Sequence, residues 1–168
     1  MSRYRFSFAA PLTVEACQFL EEETAIPYGH LDMREWFCIT AWRESDDQVV
    51  GVLACEPKTW FDWHFTCAIA DQRIMTRRLL KTIFRTLFTR ARRITALVEP
   101  GNARALEQVR RMGFVYEGFL RCGVEGTRDV LMWGMLPEDC RFLPGYTGGT
   151  IRQTDYFGGS HGIQPQAT

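Results

Sequence analysis

Residues 92–118, RRITALVEPGNARALEQVRRMGFVYEG, decide how this chain folds. Ile94 to Glu99 is a short apolar run of the kind that forms a buried strand, and Pro100-Gly101 ends it. Asn102 is a good N-cap, and the helix it opens runs to Met112. Gly113-Phe114 then leads into a second strand. A strand, a short amphipathic helix and another strand in this order predict a mixed α/β sheet with parallel pairing near its centre.

The segment just upstream continues the pattern. Leu79, Leu80, Ile83, Phe84, Leu87 and Phe88 form an i, i+3, i+4 stripe with arginines opposite, which predicts a helix over Thr76 to Arg90. His64 to Ala70, which precedes it, reads as a central strand. WFCITAW (36–42) and VVGVLACE (49–56) flank the polar turn at 44–48 and read as a hairpin. Nearer the N-terminus, Arg3 to Phe8 alternates as a strand. Thr13 opens a helix through about Glu23, with a further helical turn expected around His30 to Glu35. Downstream, Phe114 to Val124 and Asp129 to Leu136 make a closing hairpin across Glu125-Gly126. Residues 1–136 therefore read as one domain. In residues 137–168 the apolar residues lose their period among glycine, serine, threonine and glutamine, so this tail is expected to be extended or disordered, unless Tyr146, Tyr156 and Phe157 dock it.

A chain of 168 residues with 46% hydrophobic content suits a single core. No apolar run approaches the roughly 18 residues of a membrane span. With no secretory pattern either, a cytoplasmic protein is expected. The six cysteines have no metal-ligand spacing and read as buried free thiols. The net charge of zero hides two blocks: eleven acids against three bases over 13–62, and eleven bases against two acids over 72–111. Such blocks are either solvated helix faces or, in the basic half, an anion site. A pI near 6.8 argues against a nucleic-acid partner.

The stretch 94–129, with Asn102, Ala105, Gly113-Phe114, Glu117-Gly118, Leu120-Arg121 and Asp129, resembles the second half of the coenzyme A site of the GNAT N-acetyltransferases. Within that superfamily it looks closest to the branch that acetylates N-terminal amines and to phage-encoded relatives. The resemblance covers about residues 3 to 136. It implies a mostly antiparallel seven-stranded sheet with a splayed central parallel pair and about four helices. It also implies acetyl-CoA as co-substrate and an amine on a protein or small molecule as acceptor. The implied cofactor-binding residues are Cys67, Ala68 and Ile69 on the central strand, then Gln72, Arg73, Ile74, Met75, Thr76 and Arg77, then Asn102 and Arg104. In the family the loop at 72–77 is glycine-rich so that backbone amides can approach a pyrophosphate at a helix N-terminus. Here Met75 and Arg77 occupy the small positions. Either Arg73, Arg77 and Arg78 supply charge in place of close amides, or the scaffold has lost its cofactor and is a binding protein, phage-encoded and directed at a host enzyme.

The family's usual tyrosine acid is replaced by Val109. Glu56, Asp62 and His64 flank the central strand as candidate bases, of which His64 and Glu56 are preferred as catalytic residues because a histidine titrates near neutrality. Deprotonating a lysine at pH 7 costs about 4.6 kcal/mol, but an α-amino group only about 1.1 kcal/mol. A site without a strong base therefore suits an α-amine. The aromatic run Trp60, Phe61, Trp63 and Phe65 reads mainly as core, with an acceptor groove or protein interface as the alternative.

Overall fold

The computed structural model describes residues 3–8, 11–29 and 31–146. Seven strands are built in chain order: β1 Tyr4–Ser7, β2 Phe37–Arg43, β3 Gln48–Pro57, β4 Asp62–Ile69, β5 Arg93–Val98, β6 Val115–Val124 and β7 Arg128–Met135. They form one sheet in the order β1-β2-β3-β4-β5-β7-β6, antiparallel everywhere except between β4 and β5. Three α-helices pack on it: α1 Val14–Thr24, α2 Arg77–Leu87 and α3 Ala103–Met112.

Local chemistry fixes the helix ends. Thr13, Thr76 and Asn102 each accept a hydrogen bond from the backbone N–H three residues on, and so cap α1, α2 and α3. Gly113 ends α3 at φ 100°, a left-handed conformation that a side chain would strain.

The faces divide as the apolar periods require. Leu80, Ile83, Phe84 and Leu87 of α2 pack with Trp63 and Phe65 of β4 and with Ile94, Ala96 and Val98 of β5. On the other face, Ala16 and Leu20 of α1 pack against Val52, Ala54 and Ala68. Phe84, with no exposed surface, is the hub of an aromatic cluster that takes in Phe65, Phe114 and Phe142.

The helix count is three among the described residues, not about four: residues 31–35 form bends and turns, and His30 lies outside the described residues. Packing continues past Pro137. A 3-10 turn at Pro137–Asp139 brings Cys140 and Phe142 into the core, and Phe142 stacks on Phe84 at 5.5 Å. Residues 147–168, including Tyr156 and Phe157, lie outside the described residues. Of the aromatic run, Trp63 and Phe65 are core, whereas Trp60 is 79% exposed and meets Phe61 edge to face. The six cysteines are free thiols, and Cys122 is exposed rather than buried. Among the described residues no helix is long and apolar enough to cross a membrane.

Candidate active site

β4 and β5 pair only through Asp62–Arg93, Trp63–Ile94 and His64–Thr95. Beyond that point each strand keeps its outer partner, β3 as far as Ile69 and β7 as far as Val98, but the two no longer meet. The inward main-chain groups after His64 and Thr95 therefore face a gap instead of a ladder. The gap opens into a cleft of about 360 Å³, lined among others by Thr66, Cys67, Leu97, Asn102, Gln108 and Val109. It passes from the C-terminal end of α1 to α3. Glu22 and Glu23 stand at its α1 wall and give that side a negative character, while Glu99, across the cleft, is paired with Arg128 at 2.7 Å.

The loop after β4 is built by packing instead of by glycine. Asp71 accepts from the Arg73 N–H and nucleates a 3-10 turn at Gln72–Ile74. Ile74 is buried against Ala41, Val50 and Ile69, and Met75 packs on the same cluster. A side chain at Gly51 would force the Ile74 end to shift, because its Cβ would stand 2.3 Å from the Ile74 Cδ1. Asp71 also grips the Arg73 guanidinium, at 2.9 and 2.7 Å, and accepts from the Tyr4 hydroxyl at 2.7 Å. Those two donors, Arg73 first, hold the Asp71 carboxyl well below the usual carboxylate range. Arg73 is thus engaged by its own loop. Thr76 caps α2, and among the described residues Arg77 and Arg78 are exposed and carry no ion pair.

A second cleft, of about 490 Å³, lies between the start of α2 and α3. Gln72, Met75 and Leu80 line one side; Arg104, Arg111 and Arg141 bring positive charge to it. Arg104, in the first turn of α3, reaches across to donate to the main-chain carbonyl of Ile69 at the end of β4. Gln108 lines both clefts, and its Nε2 is buried without a hydrogen-bond partner among the described residues. An orphaned buried donor at the junction of two openings is available to an acceptor from outside the chain, whether water or a ligand oxygen.

Of the sequence candidates, Cys67 and Asn102 line the first cleft, and Gln72, Met75 and Arg104 line the second. Ala68 packs toward α1, while Ile69 and Ile74 belong to the cluster under the loop. Met75 does not line the cleft beside Asn102. Asn102 spends its Oδ1 on the Ala105 N–H at 3.0 Å, which leaves its amino group as the donor it can offer a ligand. Burial pushes the Cys67 thiol up to about 12, so it is no nucleophile at neutral pH.

His64 and Glu56 are direct cross-strand neighbours just below the closed end of the cleft. Glu56 is paired with Lys58 at 2.6 Å. Burial holds the His64 pKa below its ordinary 6.5, with Asp62 pulling the other way. Asp62 in turn accepts from the Thr95 hydroxyl at 2.8 Å and stands 3.8 Å from Arg93, which is also bonded to Glu117. Neither His64 nor Glu56 lines the cleft, but Thr66, on the same face of β4, does. Two residues of strand separate His64 from Thr66, or about 7 Å.

Sequence reasoning missed Tyr28. It is buried against Trp36 with its hydroxyl beside Thr66 and Thr24, both cleft residues, and burial raises its pKa. No periodic pattern surrounds it, so nothing local could have marked it. Val109, the position at which the resemblance implies a tyrosine, forms part of the cleft wall.

No protein-family model matches this chain, and no curated protein matches it in sequence. Its fold is similar to that of solved acetyltransferases. One is a ribosomal-protein-S5-alanine acetyltransferase from Vibrio fischeri, with TM-score 0.59 and 13% identity over 84% of this chain and 99% of that one. An acetyltransferase of the GNAT family from Streptococcus pneumoniae gives 0.53 and 18%, over 80% and 99%. Nourseothricin acetyltransferase gives 0.60 and 19%, over 79% and 98%. The fold is the GNAT fold, with its seven strands and its one splayed parallel pair.

Proposed function

We propose that the cleft between β4 and β5 takes the thioester arm of acetyl-CoA and that the protein is an N-acetyltransferase which passes the acetyl group directly to an amine. The observation that carries this reading is the buried, partnerless Nε2 of Gln108 where the two clefts meet. Leaving such a donor unsatisfied costs roughly 1–3 kcal/mol. A ligand rich in amide carbonyl and phosphate oxygens, threaded from one cleft into the other, removes that cost. The unladdered edges of β4 and β5 offer the same ligand main-chain partners along its length.

In this reading Cys67 and Asn102 flank the arm, Gln72, Met75 and Arg104 flank the charged end, and Thr76 and Arg77 stand beyond them at the start of α2. Arg104 exchanges the Ile69 carbonyl for a phosphate oxygen. The attacking amine is deprotonated by His64 through one water, since the distance from the cleft is too long for direct transfer. Its depressed pKa keeps His64 neutral, and so basic, at pH 7. The departing sulfur is protonated from the Thr66 side, where Tyr28 retains its proton at neutral pH. The absence of a stronger base favours an α-amino group over a lysine by about 3.5 kcal/mol. Glu22 and Glu23 favour a cationic acceptor. The similar structures are named for unlike acceptors, an alanine of ribosomal protein S5 and nourseothricin. An intracellular site of action, where acetyl-CoA is made, goes with this reading.

Release of free thiol from acetyl-CoA tests it, using a peptide with a free α-amine, the same peptide blocked at the N-terminus but carrying lysine, and a polyamine. Turnover with the first and not the second is expected. No turnover with any of the three contradicts the enzymatic reading.

One set of observations favours a second reading, a non-catalytic GNAT-like binding protein, phage-encoded and aimed at a host enzyme. The loop at 71–76 is packed shut, Arg73 is engaged by Asp71, and Arg104 spans the mouth of the gap. Trp60, exposed beside Phe61, would then be the anchor of the protein interface.

A further inference from the structure

Charge on this molecule is sorted by region, and the sorting is most extreme on the outer side of α2. From Gln72 to Val98 the chain has eight basic residues and no acidic one. Arg73 is held by Asp71, and Arg93 by Glu117. The other six, Arg77, Arg78, Lys81, Arg85, Arg90 and Arg92, are exposed and carry no ion pair among the described residues. Leu80, Ile83, Phe84 and Leu87 turn one side of α2 into the core. Arg78, Lys81 and Arg85, at i, i+3 and i+7, share the opposite side, and Arg90 and Arg92 follow in the turn that leads to β5.

A merely solvated helix mixes its signs, as α3 does with the Glu107–Arg111 pair. Like charges three and four residues apart repel, and arginines in the first turn oppose the helix dipole, so this stripe weakens the helix that carries it. A partner of opposite sign relieves both effects. The backbone also ties the basic stretch to an exposed aromatic pair. The N–H groups of Arg92 and Arg93 donate to the Phe61 carbonyl at 2.8 and 2.9 Å. Phe61 is 41% exposed, and Trp60 next to it 79%. None of Trp60, Arg78, Lys81, Arg85, Arg90 and Arg92 lines either cleft.

We propose that this face binds a single-stranded nucleic acid, with its phosphates along α2 and the following turn and one base stacked on Trp60. The proposal does not rest on the donor-site reading above. Guanidinium forks match phosphate oxygens, and an exposed aromatic ring accepts any base by stacking. The 11 residues of α2 extend about 16 Å, which is room for a few phosphates. A membrane fits less well, because the apolar side of α2 is buried and has nothing to insert. An acidic protein fits less well too: Thr82, Thr86 and Thr89 fill the spaces between the cations, where a protein interface has an apolar centre. The pI near 6.8 averages this face with the acidic half of the chain, which is why the bulk charge argues the other way.

The test is fluorescence anisotropy of a labelled 12-nucleotide oligothymidine, titrated with the full chain at several salt concentrations and repeated with labelled oligoglutamate and with anionic phospholipid vesicles. The parent should bind the oligonucleotide at about 50 mM salt, with a logarithmic salt slope of about −3, the value for about four neutralised phosphates on a single strand. The double variant Lys81→Gln/Arg85→Gln should bind roughly tenfold or more weakly and lose about 1.4 from that slope. Trp60→Ala should bind roughly fivefold or more weakly with the slope unchanged. All three substitutions are at exposed positions, and melting temperatures equal to the parent's verify that the variants fold. No binding of the oligonucleotide by the parent would overturn the proposal, as would an affinity unchanged in either variant. Tighter binding of oligoglutamate or of the vesicles than of the oligonucleotide would overturn it in favour of an acidic protein or a membrane. Each of these outcomes leaves the acetyl-CoA reading untouched.

Discussion

Gly51 on β3 and Ile74 in the turn after β4 are shaped for each other: a Cβ on Gly51 would stand 2.3 Å from the Ile74 Cδ1 and 3.3 Å from the Ile69 Cδ1. Ile74 is 3% exposed, so any shift of its side chain is made inside the core. The turn that replaces a glycine-rich loop is therefore anchored from below, by a glycine in the neighbouring strand. Gly51→Ala should lower stability by about 1 kcal/mol, overpacking of about 1–3 kcal/mol being offset by the better strand propensity of alanine. In an Ile74→Ala background the same change should be neutral or stabilising. A double-mutant cycle by urea denaturation reads the coupling, and additive effects would refute the pairing.

Phe142→Ala should cost about 3–5 kcal/mol, the loss expected for a buried aromatic. Its ring is 6% exposed and stacks on Phe84. Truncation before Cys140 should destabilise at least as much. Unchanged melting in both would mean that the segment after β7 is not part of the core.

Much of this architecture was legible in the sequence, and the exceptions have a common cause. The stripe on α2 and the strand-helix-strand order of 92–118 are local patterns, and the structure follows them within about one residue, except that α2 ends at Leu87, three residues before the expected Arg90. Thr13, Thr76 and Asn102, read as the residues that open the three helices, are their N-caps. What could not be read depends on contacts between distant residues. Arg104 reaching Ile69, Ile74 resting on Gly51, Tyr28 meeting Thr66 and Phe142 stacking on Phe84 have no signature at either end. Cys140 and Phe142 sit next to a glycine-rich stretch, and composition alone made them look like tail. The splayed pair of strands was expected only from the family resemblance, since no periodicity shows where a ladder stops.

The pKa of His64 is depressed by burial, so the unfolded chain binds a proton at a higher pH than the folded one does. The stability linked to His64 is complete above its ordinary value of 6.5 and is lost as pH falls through the window below it. Asp62 and Glu56 oppose the shift, and Lys58 and Arg93 add to it. His64→Gln should flatten the acid side of the melting-temperature profile between pH 6.5 and the folded-state pKa. It should also remove the acid limb of kcat/KM. Identical profiles for parent and variant would show that His64 does not titrate differently on folding.

Cys67 lines the cleft with its thiol pushed up to about 12. Direct transfer needs no thiolate there, so Cys67→Ala should retain kcat within about threefold, a barrier change under about 1 kcal/mol. An acetyl-enzyme route would instead lose about a thousandfold or more. Intact mass after incubation with acetyl-CoA should show no 42 Da adduct on the parent, roughly the mass of one acetyl group replacing a proton and the marker of covalent catalysis.

The most direct test of the central claim, that the gap beyond His64–Thr95 receives an acetyl thioester, is calorimetric titration of the whole chain with acetyl-CoA. One site with a Kd in the range of about 1 μM to 1 mM is expected, the usual span for an enzyme and its substrate. Gln108→Leu should weaken that binding, because it removes the buried donor that waits for a ligand acceptor. No heat and no rise in melting temperature at millimolar acetyl-CoA would contradict the claim.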